Sequence, residues 1–312
     1  MQSRFARLFT IAAVSIAVIW GIKYYLFDSS AVPENSDYTL NLDEIRALAR
    51  NQPGALPLQL RGLLIGESSF PRSAAVAGDG LFSNRALVFT AYQAVYPDRT
   101  AIIDTAHDRA IHQANFGETG FTQDAYDRMQ AAMKAAALIV ITHEHMDHVG
   151  GIAQSPHLAE ITPRTLLTRD QINGPTIGQS GFPEGALSRF RDFDYDRLYS
   201  PAPGMVLIKA PGHSTGSQMI YLTLANGEEF LFVGDIVWHM DAIRRLRGRP
   251  RFVSLAFLGE DRDQVAAQIR TLHDLGAIQA DARNNRLHII VAHDAEQWRE
   301  YLDAGFVQKG FL

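Results

Sequence analysis

Between Thr142 and Gly151 the chain reads Thr-His-Glu-His-Met-Asp-His-Val-Gly-Gly. Three of its eleven histidines, His143, His145 and His148, fall within six positions there, with Asp147 beside the third. Neutral imidazoles and a carboxylate suit a borderline divalent cation such as zinc; iron, manganese and cobalt accept the same donors. Four such groups in so short a run are too many for one tetrahedral site built from adjacent neighbours. They are better shared between two ions, with more distant ligands completing each. Three candidates stand downstream: His213 in Ala-Pro-Gly-His-Ser-Thr-Gly, Asp235 in Phe-Val-Gly-Asp-Ile, and His293 in Val-Ala-His-Asp. Each follows a β-rich stretch, and side chains at the ends of several strands on one sheet edge can converge on one cleft. His107, His112, His157, His239, His273 and His288 read instead as ordinary surface or half-buried residues, His239 being the exception to watch because it lies close to Asp235.

Two cations about 3.5–4 Å apart can bind a water between them and lower its pKa toward about 7, giving hydroxide without a nucleophilic side chain. The expected reaction is therefore hydrolysis, with Asp147 orienting the bridging water and handling its proton, and Ser214 serving as a loop or cap residue. The chain contains no cysteine, which excludes thiolate ligands, cysteine nucleophiles and disulfides. A net charge of −5 gives no electrostatic footprint for nucleic acid, so the expected partner is a small-molecule substrate; the oligomeric state is not readable.

The elements that must position these residues follow from periodicity. Leu58 to Ile65, Ala86 to Val95, Thr100 to Ile103, Ala137 to Thr142, Thr165 to Thr168, Met205 to Lys209, Gln218 to Leu224, Glu229 to Val233 and Leu287 to Ala292 read as strands. Leu42 to Arg50 with Asn41 as cap, Thr122 to Ala136, Arg262 to Leu275, and Asp294 to Leu302 read as helices, the last with Gln297 completing a capping box. The alternation implies an α/β domain, and the first histidines leave their sheet on a loop. Arg244, Arg245, Arg247, Arg249 and Arg251 fall within eight residues; they read as a solvated basic loop, with an anion or lipid-headgroup patch as the alternative. Phe116, Phe121 and Phe182 could wall an apolar pocket above the metals.

The first 27 residues stand apart. Arg4 and Arg7 precede an apolar run, and Trp20, Tyr24 and Tyr25 sit where an aromatic belt would lie. As a helix, Leu8 to Phe27 spans roughly 30 Å, the thickness of a hydrocarbon core. The expectation is a transmembrane anchor over 1–27 with the domain outside the cytoplasm, on the periplasmic side; the rival is a signal segment cleaved at Ser29 and Ala31, giving a secreted protein. Residues 28–40 read as a linker and 41–312 as the hydrolase domain.

The ordered set His-x-His-x-Asp-His, then His, Asp and His, together with Ile103-Asp104-Thr105 after an early strand, resembles the metallo-β-lactamase superfamily from about Leu58 onward. The resemblance implies a four-layer αββα sandwich following the N-terminal membrane helix. It implies that His143, His145 and His213 hold one ion, that Asp147, His148 and His293 hold the other, and that Asp235 bridges them. Asp104 would lie just behind the site or simply end its strand. True β-lactamases of this superfamily generally lack the bridging Asp. Glyoxalase II continues beyond its last metal histidine into a further helical domain, whereas nineteen residues follow His293 here. Acyl-homoserine lactone lactonases share the step from His213 to Asp235 and the His293-Asp294 ending, but carry a Tyr supporting the substrate carbonyl where this chain has Trp238. The expected activity is cleavage of a small ester, lactone or related bond, with phosphodiesterase, thioesterase and di-iron redox protein as alternatives.

Overall fold

The computed structural model describes residues 2–30, 32–80, 82–281 and 286–312. Ala31, half of the expected cleavage pair, lies outside the described residues. The strands are β1 (Gln59–Pro71), β2 (Asn84–Val95), β3 (Thr100–Ile103), β4 (Leu138–Val140), β5 (Thr165–Leu166), β6 (Leu198–Ala202), β7 (Met205–Lys209), β8 (Gln218–Thr223), β9 (Glu229–Phe232), β10 (Leu287–Ile290) and β11 (Gln308–Lys309). They form a six-stranded sheet in the order β11-β1-β2-β3-β4-β5 and a five-stranded sheet in the order β10-β9-β8-β7-β6.

Side-chain alternation decides how the layers stack. Ala101, Ile103, Val140, Met205, Leu207, Ile220 and Leu222 point into the core between the sheets, while Ile102, Ile139, Val206, Ile208, Met219 and Tyr221 point outward, as a period of two requires. Both outward faces are buried by helices. Helix α1 (Gln2–Lys23) stays outside this arrangement. Helices α2 (Leu42–Asn51) and α5 (Arg262–Asp281) cover the five-stranded sheet through Ile45, Ala49, Val265, Ile269 and Leu272. The six-stranded sheet is covered by α3 (Gln123–Ala135) and α4 (Met146–Ala153), through Met129, Met133, Val149 and Ile152. Helix α6 (Ala295–Asp303) closes one end with Trp298. Each fully buried aliphatic contributes about 1.5–3 kcal/mol relative to exposure, so four interlocked layers hold the strand ends firmly.

The architecture is the expected αββα sandwich, with local differences. Asp147 and His148 lie in the first turn of α4 rather than on a loop. β6 carried no expectation. Asp294 caps α6 as expected, accepting the Glu296 and Gln297 N–H groups, but Gln297 reaches Ile289 O and the Val291 N–H rather than the cap. Residues 28–40 are not a free tether: Ser36 donates to Ala267 O, Tyr38 donates to Lys209 O, and Val32 and Leu40 pack on the core under α5.

β3 runs parallel to β4, and β10 runs parallel to β9, while β7 shares their sheet two antiparallel steps away from β9. Their carboxyl ends therefore deliver Asp104, His143, His213, Asp235 and His293 to one edge. Helix α4 sits against that edge at van der Waals limits. A Cβ at Gly151 would lie 2.1 Å from Thr105 O and 2.8 Å from Met129 Cε. Gly151→Ala is expected to lower stability by about 1–3 kcal/mol through overpacking, read as the urea midpoint of the full chain in detergent; an unchanged midpoint contradicts this packing.

Candidate metal centre

His143 and His145 follow β4, and α4 presents Asp147 and His148 one turn further on. All seven expected residues meet. Donor atoms of His143, His145, His213 and Asp235 form one group, and those of Asp147, His148 and His293 form a second, each with its atoms within 4.8 Å of one another. His145 Nδ1 lies 3.0 Å from His143 Nε2 and 2.9 Å from His213 Nε2. Asp235 stands between the groups: Oδ2 is 3.5 Å from His213 Nε2 and 3.9 Å from His143 Nε2, while Oδ1 is 3.0 Å from His293 Nε2 and 3.3 Å from His148 Nε2. Asp147 Oδ2 is 3.5 Å from His293 Nε2 and 3.9 Å from His148 Nε2.

The outer nitrogens fix what the inner ones can do. His213 Nδ1–H donates to the Glu260 carboxylate at 2.8 Å, His148 Nδ1–H to Asp104 Oδ2 at 3.0 Å, and His293 Nδ1–H to Val88 O at 2.8 Å. These acceptors hold the proton outside, so in the neutral imidazoles each Nε2 turns a lone pair toward Asp235. Lone pairs facing a carboxylate at 3.0–3.5 Å repel unless positive charge lies between them. His148 Nε2 and Asp235 Oδ1 are both buried and without a hydrogen-bond partner. Donor separations of this size match two ligands about 2.0–2.1 Å from a shared zinc ion. The residues thus fit a pair of divalent cations.

Electrostatics divides the site. Burial, with the neighbouring His148 and His145, holds His143 well below its ordinary pKa, and burial with His213 pushes His145 down to about 3. Burial opposes charge on His148 as well, but Asp104, Asp235 and Asp147 outweigh it and raise the pKa well above the usual value. For His293 burial is likewise overcome, by Asp235 and Asp147. Burial would raise Asp235, yet His293 and His148 hold it well below the carboxylate range. Positive charge is therefore favoured on the Asp147 side and resisted around His143 and His145.

Supporting residues came from outside the motif. Glu260 is 47 positions from His213, and no spacing signal marks it. Burial would raise its carboxyl; Arg249 and His213 bring it down to about 2. Arg249 is 3% exposed, pairs with Glu260 and donates to Asp235 O. This overturns the solvated-loop expectation at that residue; Arg245 and Arg247 also bind Asp79 and Ala77 O. Glu144, buried between two of the histidines, accepts from Ser214 Oγ at 2.8 Å and ties the two ligand loops together. Asp104 supports the site: it accepts the Thr142 N–H at 2.6 Å while holding His148, with its own backbone left-handed at φ 55°. Trp238 donates to Asp235 Oδ2 at 2.6 Å, so its indole N–H is directed at the carboxylate rather than at a substrate.

His107 and His112 are fully buried and hydrogen-bonded to each other at 2.9 Å, contrary to the surface expectation. His239, buried too, forms a third group with Asp294 and Glu296. Its Nδ1 accepts the Asp241 N–H, which leaves the proton of the neutral ring on Nε2, 3.3 Å from Asp294 Oδ2 and without a hydrogen-bond partner; a protonated nitrogen does not ligate. Above the cluster opens a cavity of about 400 Å³. Its floor includes His145, Asp147 and Asp235, and its walls include Phe70, Phe116, Trp238, Val253, Phe257 and Leu258. Of the three expected aromatics only Phe116 lines it; Phe121 packs on Tyr126 and Phe182 on Phe190.

Residues 137–277 match the family described as the Metallo-beta-lactamase superfamily. The chain is 25% identical over 186 residues to a hydroxyacylglutathione hydrolase of Vibrio parahaemolyticus, covering 60% of this chain and 65% of that protein. It is 22% identical over 174 residues to the N-acyl homoserine lactonase AttM of Rhizobium radiobacter, covering 53% and 61%. The matches thus span under two thirds of those relatives. Among solved structures, AidC, a dizinc quorum-quenching lactonase in complex with a product, superposes with a TM-score of 0.54 at 14% identity, covering 78% of this chain and 90% of that one. The sandwich is the metallo-β-lactamase fold.

Two outcomes follow from this geometry. Glu260→Gln, which weakens the grip on the His213 tautomer, should reduce metal affinity about 10–100-fold in chelator competition; unchanged affinity contradicts the role. Because the raised pKa values of His148 and His293 set protons against cations, affinity should fall as pH drops from about 8 to about 6. Metal uptake should release protons, seen by titration calorimetry in buffers of different ionisation enthalpy; uptake without proton release rules this out.

Proposed function

From a chain whose residues 137–277 form a metallo-β-lactamase domain, we propose a dinuclear metal-dependent hydrolase of a small ester, lactone or related acyl bond. The single observation that carries this reading is Asp235 standing with one oxygen toward each ligand group. His143, His145 and His213 would hold one cation, Asp147, His148 and His293 the other, and Asp235 both. Two divalent cations, zinc by donor type, would supply an acidified bridging water and a Lewis acid for the scissile carbonyl.

The chain's own residues do the rest. Glu260, Asp104 and Val88 O keep three imidazoles in the ligating tautomer. Trp238 holds the Asp235 carboxylate in place. Asp147 reaches the cavity floor, where its carboxylate can orient the attacking water and accept its proton. The apolar walls exclude competing water and seat the acyl portion of a substrate, in a volume typical of small-molecule sites. No Lys or Arg lines the cavity among the described residues, and Arg249 is committed to Glu260 and Asp235. That favours an ester, lactone or thioester over a phosphodiester. The lactonase and hydroxyacylglutathione hydrolase relatives support acyl chemistry.

Helix α1, exposed along its length and apolar from Phe5, is compatible with a membrane anchor or a signal sequence. An anchor holding the domain outside the cytoplasm is the reading we adopt. Ser29 and Ser30 are bound to the folded chain, Ser29 Oγ donating to Tyr25 O and Ser30 Oγ accepting the Gly248 N–H.

The test couples elemental analysis of the purified full chain to a panel of esters, lactones, thioesters and phosphodiesters, with Asp235→Ala as control. Two equivalents of a redox-silent divalent metal and acyl-bond turnover are expected. The variant should lose bound metal and on the order of 10³-fold or more in rate, since metal activation supplies several kcal/mol. A redox-active iron pair without hydrolysis would establish the di-iron alternative instead.

A further inference from the structure

We propose that the cavity rim at residues 252–258 lies in the bilayer interface beside the end of α1, so that an acyl-bearing substrate enters from the lipid phase. The substrate half rests on the hydrolase reading above; the membrane contact rests on reading α1 as an anchor and not on the hydrolase reading. The rim is apolar and outward-facing: Phe252 is 40%, Leu255 59% and Phe257 71% exposed. The same short segment supplies Val253, Phe257 and Leu258 to the cavity wall. One face of it therefore touches solvent and another touches the space above Asp147.

The anchor fixes which surface covers that face. The Phe27 and Phe252 rings lie 5.3 Å apart, Phe252 and Phe257 lie 5.4 Å apart, and the Arg251 guanidinium sits 4.6 Å over the Tyr25 ring. The Gly78 N–H donates to Phe27 O at 3.2 Å and the Gly248 N–H to Ser30 Oγ at 2.8 Å. The chain leaving α1 is thus clamped to the rim, and residues 28–40 are packed down instead of spanning a gap. A span ending at Tyr24 to Phe27 puts those rings at headgroup level, and Phe252 in contact with Phe27 shares their depth. Exposed apolar side chains held there are covered by lipid rather than left in water, and Arg251 at their edge suits a phosphate-bearing headgroup. The occupant is the lipid surface itself.

The absence of cysteine makes the test direct. In the full chain reconstituted into vesicles of phosphatidylethanolamine and phosphatidylglycerol, a nitroxide is placed at Leu255→Cys. Ile16→Cys, in α1, is the lipid control, and Ala225→Cys, on the opposite end of the sheet, is the aqueous one. The expected result is a label at 255 relaxed more by oxygen than by a water-soluble nickel chelate, as at 16 and unlike 225. A label at 255 that nickel reaches as freely as at 225 overturns the proposal. So does a label shielded from both reagents, which would mean a second copy of the chain covers the rim. A second measurement uses Leu255→Asp, a residue outside the cavity. It should raise KM at least about tenfold, one factor of ten being about 1.4 kcal/mol, for a palmitoyl ester carried in vesicles, while kcat for a soluble acetyl ester stays within about twofold. Equal effects on both esters overturn the entry route. A lipid-immersed label with no ester turnover defeats the hydrolase reading and the entry route but leaves the membrane contact standing; turnover with an aqueous label defeats the membrane contact and the entry route but leaves the hydrolase reading standing.

Discussion

The centre is built on groups that repel one another. Three imidazole lone pairs are turned on one buried carboxylate, and the acceptors behind them hold the ring protons on the far side. Such an arrangement is costly in a low-dielectric interior without compensating positive charge. Protons can supply that charge on the side of His148 and His293, but His143 and His145 lie where burial resists protonation. Burial thus resists positive charge on one half of the site, while carboxylates favour it on the other.

That packing is the work of the two sheets. Parallel strands bring their carboxyl ends to one edge, and the layers are stitched there by Gln218 reaching Ile141 O and by Val88 joined to His293. Arg249 extends the bracing: it neutralises Glu260, holds the Asp235 backbone and lies 4.5 Å from the Trp238 ring centre. One buried cation thus braces both His213 and Asp235 without entering the cavity. The arginine-rich segment that contains it continues into the cavity rim and meets the end of α1.

The seven residues that meet at the site were legible because they lie in short motifs at strand ends. The support was not. Glu260 and Arg249 look like ordinary charged residues until burial removes their water, and a one-dimensional reading of Arg244 to Arg251 counts five like charges where folding spends one on a buried pair. Trp238 could be read as a donor, but not whether its N–H would face a substrate or Asp235. His107 and His112 read as surface or half-buried residues, whereas both are fully buried and hydrogen-bonded to each other beneath Phe89.

By itself the sequence determined the donor residues and their order, the two-sheet alternation and the apolar N-terminal helix, since each is written in local spacing of one period or another. Tertiary structure alone decided that Asp235 faces both groups, that residues 32–40 are strapped to the domain, and that the rim meets the end of α1. Those facts depend on contacts between residues tens to hundreds of positions apart, whose pairing no local period encodes.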